Sequence, residues 1–231
     1  MKNDLTGIIC AMPLEMEGLR ARMTDITVQT VSGIEFVSGR IGTSPVVTAV
    51  CGVGKVFAAL CAQTMILTYA PAHIVNTGVA GSLSSELTIG QIAIACDVVQ
   101  HDMDTSPIGD PVGLLSGINI IHIPAEASLC EELADAATAC ELTVKTGTVA
   151  TGDQFISTTA QKTFIRDTFG AIACEMEGGA IGHVCYVNRT PFAVLRAISD
   201  GGDESAQMDY PTFARMAAAK SVRVLVQYLT H

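Results

Sequence analysis

Cys174-Glu175-Met176-Glu177-Gly178-Gly179-Ala180 puts two carboxylates around a methionine at the point where an apolar run turns into a helix. Upstream, residues 168–173 read as a turn followed by a short strand; downstream, residues 180–187 keep apolar side chains on one helical face. A strand that hands over directly to a helix is the repeating unit of an α/β fold. Glu175 and Glu177 then lie at a strand outlet, where open α/β sheets put ligands. Acidic residues also favour the first turn of a helix because they complement its dipole. The motif alone therefore has two readings, and the rest of the chain has to choose between them.

The alternation extends in both directions. Residues 5–12 form a buried-strand pattern that stops at Pro13, and 14–23 return to helical spacing, with Glu15 and Glu17 at the junction. Residues 26–31, 34–41 and 45–51 read as a meander of short strands. Cys51-Gly52-Val53-Gly54-Lys55 is a glycine turn opening a helix over 56–69, and it lacks the GxxxxGK[ST] spacing of a phosphate loop. Residues 73–76 are a short strand running into a small-residue loop, Thr77-Gly78-Val79-Ala80-Gly81-Ser82. A strand at 89–99, an irregular loop to Gly117, an amphipathic helix at 125–140 and a strand at 142–151 follow. Helix 161–168 precedes the opening motif. The strand at 191–199 is apolar except for Arg196, which is expected to pair with a carboxylate, and Pro211 opens a last helix reaching 229. The pattern predicts one α/β domain over 1–231, with helices on both faces of a central mixed, largely parallel sheet.

Thirteen basic against twenty-three acidic residues give a formal charge of −10, which argues against a nucleic-acid or anionic-membrane surface and for a small-molecule ligand. No apolar run approaches the ~20 residues of a membrane span. The apolar start over 5–14 is broken by Gly7 and Pro13 and reads as a first strand rather than a signal peptide. Eight cysteines scattered through apolar segments, without a Cys-x-x-Cys pair or a zinc-spaced cluster, fit reduced thiols in a cytoplasmic protein with no metal site.

The strand outlets collect Glu15, the glycine-rich turn at 78–81, Phe155, Glu175, Glu177 and Asp200. Several carboxylates, one aromatic face and a close backbone, with no Ser/Cys–His pair, suit acid/base work on an uncharged polar ligand. Sugar hydroxyls are natural partners for carboxylates, and a purine ring for a phenylalanine face.

Six segments in order, GIICAMPLEME at 7–17, CGVGKV at 51–56, NTGVAG at 76–81, TGDQFI at 151–156, EMEGGAI at 175–181 and RAISDGGD at 196–203, resemble the bacterial 5'-methylthioadenosine/S-adenosylhomocysteine nucleosidases of the nucleoside phosphorylase superfamily. The resemblance covers nearly the whole chain and implies a three-layer αβα, nucleoside phosphorylase-like domain that cleaves the N-glycosidic bond of a 5'-thio-substituted adenosine with water, without a cofactor. Carried onto matching positions, it implies that Asp200 protonates adenine N7, that Glu15 activates or orients the water, and that Glu177 binds the ribose hydroxyls and stabilises the developing ribosyl cation. Met176 would pack on the sugar, Phe155 would stack on adenine and the Ile156 backbone would read its edge. Glu175 and Arg196 would arrange the water and sugar side, and Ser199 would orient Asp200. Met12, Val53, Val79, Ala80 and Gly81 would line the pocket, and Tyr210 would border the 5'-thio group. A homodimer is implied, with loop 101–113 of the partner closing that end. Val79 departs from the small hydroxyl residue found in several relatives.

Two rivals remain at this point. A phosphorylase of the same fold would attack with phosphate, whose recognition usually draws on arginine forks. No arginine occurs between Arg40 and Arg166, and the 76–81 segment has no cation, although Arg20 or Arg22 could reach the site from the first helix. A nucleoside-binding protein without activity would not need an acid opposite the base, as Asp200 would be.

Overall fold

The computed structural model describes residues 4–231; residues 1–3 of the predicted domain lie outside it. Strand β1 (Thr6–Cys10) is buried throughout and stops before Pro13, which opens helix α1 (Pro13–Arg20). The meander is present as β2 (Thr24–Val31), β3 (Ile34–Ile41) and β4 (Ser44–Val50), followed by α2 (Lys55–Tyr69) and β5 (His73–Ser82). Next come β6 (Ile92–Gln100), the two-residue β7 (Ile123–Pro124), α3 (Ala127–Ala139), β8 (Val144–Thr151) and α4 (Thr159–Phe169). The opening motif spans the end of β9 (Ala171–Glu175) and the start of α5 (Gly178–Asn188); β10 (Phe192–Asp200) and α6 (Ala206–Thr230) complete the chain.

The ten strands among the described residues join one mixed sheet, ordered β10-β6-β8-β9-β5-β1-β4-β3-β2, with β7 on β6. Parallel pairings occupy its centre: β4–β1–β5–β10 on one side and β6–β8–β9 on the other. The meander and the β6–β10 pair are antiparallel. Because β5 pairs with β10 along most of its length and with β9 at Gly81 and Ser82, strands β5, β10, β6, β8 and β9 close on themselves. Period-two alternation then sends side chains to two apolar layers. Ile74, Val194 and Ile198 join Ala58, Met65 and Ile181 of α2 and α5, while Val75, Ala193 and Leu195 join Leu19, Leu133 and Leu225 of α1, α3 and α6.

Two local expectations change. Residues 77–82 continue β5 instead of forming a loop. Their small side chains make room for charged groups: a Cβ on Gly78 would lie 2.5 Å from Arg196 Nη1 and 2.6 Å from Glu15 Oε1, and one on Gly81 would lie 2.8 Å from Asp200 Oδ1. Glycine here serves close approach rather than a turn. The last helix starts at Ala206, so Pro211 lies inside it. Asp203 sets the earlier start, its carboxylate accepting from the Ser205 amide and its carbonyl from the Ala206 amide. Seven cysteines are buried, Cys96 is exposed, and none is bridged.

Candidate active site

The outlets of β1, β5, β9 and β10 converge on a cavity of about 200 Å³. Register explains the convergence. Gly81, near the end of β5, pairs with Asp200 of β10 on one side and with Cys174 of β9 on the other, and Glu175 pairs with Thr151 at the end of β8. The α1 helix, entered directly from β1, projects Glu15 into the same space.

Glu15 is buried and held by three backbone amides: Ala11 (3.1 Å) and Met12 (2.9 Å) donate to Oε2, and Val79 (3.0 Å) donates to Oε1. Burial pushes its pKa up, against the pull of the Arg196 charge and of these amides. Glu17, two residues further and so on the other side of the helix, is exposed and faces Arg215. Asp200, 3% exposed, accepts the Ser199 hydroxyl (2.8 Å) on Oδ2 and the Gly202 amide (2.9 Å) on Oδ1. Burial raises its pKa as well, the two hydrogen bonds opposing.

Glu177 Oε1 accepts the Gly54 amide at 3.0 Å, and its Oε2 lies 3.7 Å from Arg196 Nη2. Burial, and then the neighbouring Glu175 charge, push its pKa up to about 7. Glu175 shares Arg196 Nη2 with this carboxylate and sits at the helix start. It pairs with Arg196 and accepts the amides of Glu177 (2.9 Å) and Gly178 (2.7 Å) and the Thr151 hydroxyl. Arg196 thus finds the carboxylate expected of it. It also donates to Asn76 Oδ1 and the Val79 carbonyl, and it lies beneath the cavity rather than on its wall.

Of the residues singled out in the sequence, all but Arg196 line the cavity: Met12, Glu15, Val53, Val79, Ala80, Gly81, Phe155, Ile156, Glu175, Met176, Glu177, Ser199, Asp200 and Tyr210. Phe155 is 44% exposed and meets Tyr210 edge to face, centroids 5.5 Å apart, while the Tyr210 hydroxyl donates to the Met12 sulfur (3.2 Å). These three form one connected cluster on the cavity wall. Ala11, Gln154 and Cys174 also line the cavity and were not singled out. Each adjoins a residue that was, so neighbourhood along the chain is the signal that could have found them. Arg20 and Arg22 do not reach it: Arg20 pairs with Glu35 and Arg22 folds onto the Gly18 carbonyl. Loop 101–113 includes a short 3₁₀ turn, Ser106–Ile108, and contributes nothing to this cavity.

The Phosphorylase superfamily model matches residues 6–230. A 5'-methylthioadenosine/S-adenosylhomocysteine nucleosidase of Shewanella loihica is 35% identical over 227 residues, 97% of this chain and 98% of that protein. Among solved structures, the Neisseria meningitidis nucleosidase of the same name, in complex with methylthio-immucillin-A, superimposes with a TM-score of 0.95 at 30% identity, covering 98% of this chain and 99% of that one. The futalosine hydrolase of Helicobacter pylori gives a TM-score of 0.93 at 32% identity, covering 97% of both chains.

Proposed function

The chain belongs to the phosphorylase superfamily, and we propose that it hydrolyses the N-glycosidic bond of 5'-methylthioadenosine and S-adenosylhomocysteine, releasing adenine and the 5-thioribose product. One observation carries water over phosphate as the nucleophile. Among the described residues, no lysine or arginine lines the cavity, whereas Glu15, Glu175, Glu177 and Asp200 do. A phosphate dianion brought into that field would meet like charge without a guanidinium fork to hold it. The Arg196 guanidinium is already engaged by Glu175, Asn76 and the Val79 carbonyl. Purified protein should release adenine from methylthioadenosine in buffer free of phosphate and metal. Assays with methylthioadenosine, adenosylhomocysteine and inosine, each with and without phosphate, check this, and strict phosphate dependence would overturn the hydrolase reading.

In this mechanism Asp200 holds a proton near neutral pH and passes it to adenine N7, so that the base leaves neutral. Ser199 and the Gly202 amide fix the carboxyl. Glu15, presented by three amides with its pKa raised by burial, takes the proton of the attacking water. Glu177 binds the ribose hydroxyls, and its charge gains value as the ribosyl cation forms in a dry pocket. Phe155 stacks on adenine, the Ile156 backbone reads its edge, Met176 packs on the sugar, and Met12 and Tyr210 border the 5'-thio group. Val79 serves the water side through its backbone amide, which needs no side-chain hydroxyl.

The setting proposed is cytoplasmic, in keeping with eight unbridged cysteines. Among the described residues, no helix is long and apolar enough to cross a membrane. A homodimer completes the reading, with loop 101–113 closing the 5'-thio end of the partner's pocket. Its support is an apolar surface: Ile108 on that loop is 82% exposed, and Val56, Phe57 and Leu60 of α2 and Tyr186 and Val187 of α5 are also bare. Light scattering should give twice the chain mass at working concentration, and a monomer would count against the dimer.

A further inference from the structure

The first turn of a helix leaves backbone N–H groups without intrahelical partners, and the N-cap side chain ordinarily takes one of them. Glu177 is the N-cap of α5, yet its side chain makes no cap bond. Its carboxylate is turned instead toward Gly54 and the cavity. The three orphan amides are satisfied from elsewhere. Those of Glu177 and Gly178 donate to Glu175 Oε2 (2.9 and 2.7 Å), and that of Gly179 donates to the Thr151 hydroxyl oxygen (2.6 Å). The same hydroxyl donates its proton to Glu175 Oε1, which ties the two surrogate caps into one unit. Thr151 is fully buried at the end of β8 and does not line the cavity.

The paired glycines are the steric counterpart. A Cβ on Gly179 would sit 2.9 Å from both Thr151 Cβ and Oγ1 and 3.0 Å from the Val99 carbonyl, and one on Gly178 would sit 3.1 Å from Glu175 Oε1. Only a helix start without side chains can come down onto this cap. Resting on the ribose role of Glu177 given above, we infer that Thr151 is a positioning residue: with Glu175 it caps α5 from outside, and thereby frees the Glu177 carboxylate to face the sugar.

A capping role confined to stability would lower activity only through the folded fraction. A positioning role acts through Glu177 and disappears when Glu177 is gone. The test compares Thr151→Val and Thr151→Ser, each alone and combined with Glu177→Gln, by adenine release from methylthioadenosine and by hydrogen exchange of the Gly179 amide. Thr151→Val should lower kcat/KM by roughly 10- to 100-fold, the scale of cost when a reacting group is displaced by about 1 Å. Thr151→Ser should restore most of it, since it keeps both hydrogen bonds. In the Glu177→Gln background the same Val substitution should cost less than about threefold, because coupled residues are not additive. Exchange at Gly179 should quicken in Thr151→Val and recover in Thr151→Ser, a readout independent of turnover. Equal losses in the two backgrounds, a Ser variant as poor as Val, or unchanged exchange would each overturn the inference. If Thr151→Val does not fold, Thr151→Ala takes its place in the same cycle with the same criteria. A wild-type protein that releases no adenine would instead sink the nucleosidase reading, leaving the exchange result to judge the cap.

Discussion

Asp200→Asn should reduce adenine release by at least 10²- to 10⁴-fold, the range attributed to a positioned general acid, while the protein stays folded. Adenine is a poor leaving group as an anion, so the proton delivered to its ring is what makes the bond breakable. The site shifts this group toward its acid form: burial pushes the Asp200 pKa up, against the Ser199 and Gly202 hydrogen bonds. Asparagine preserves the size and one acceptor oxygen, so the Gly202 amide keeps its partner. Ser199 can turn its proton to the Ala80 carbonyl, 3.3 Å away in the present geometry. What is removed is the transferable proton alone. The pH dependence follows in sign. Wild-type activity should fall as pH rises through the elevated pKa of Asp200, because the acid form is consumed. The small residual rate of the variant should lack that alkaline limb. Initial rates with methylthioadenosine across the pH range check both, and near wild-type turnover at any pH would remove the acid assignment.

How much of this site could be read without coordinates depends on how local each cause is. Glu15, Glu177 and Asp200 each stand where a strand pattern breaks, and strand ends are visible as the stop of an apolar run at Pro13, Gly178 and Gly201. The pairing of Arg196 was legible for a similar reason, since a charge inside a buried strand needs a partner. Residues 77–82 were misread because small residues have two uses, turning the chain and yielding space, and only the approach of Glu15, Arg196 and Asp200 to Gly78 and Gly81 shows which applies. Pro211 was misread because the cap at Asp203 lies outside the helical periodicity. Thr151 carries no signal at all in one dimension: its partners Glu175 and Gly179 lie 24 and 28 residues away. The closed portion of the sheet is equally silent, since it rests on β5 pairing with both β10 and β9.

Glu177→Gln should be the variant in which activity and stability part most clearly. Removing one preorganised electrostatic partner of a developing charge typically costs about 10²- to 10³-fold in turnover, and the nearby Glu175 carboxylate is already neutralised by its pairing with Arg196. Stability should move the other way. Burial and the Glu175 charge raise the folded-state pKa of Glu177 from 4.5 to about 7. Between those values the folded chain holds a proton that the unfolded chain has released, so this group's contribution to stability falls as pH rises through that window and stays low above it. Glutamine is neutral at every pH, nearly isosteric, and can still accept the Gly54 amide. Above about pH 7 the variant should therefore melt higher than wild type, by a free energy on the order of 1–3 kcal/mol, and the gap should close toward about pH 5, where wild-type Glu177 is itself protonated. Thermal unfolding at both ends of the window, beside adenine release, separates the possibilities. A variant that loses activity but also melts lower at alkaline pH would mean that Arg196 and Gly54 hold the Glu177 charge more strongly than burial opposes it, and that the site carries no strain there to release.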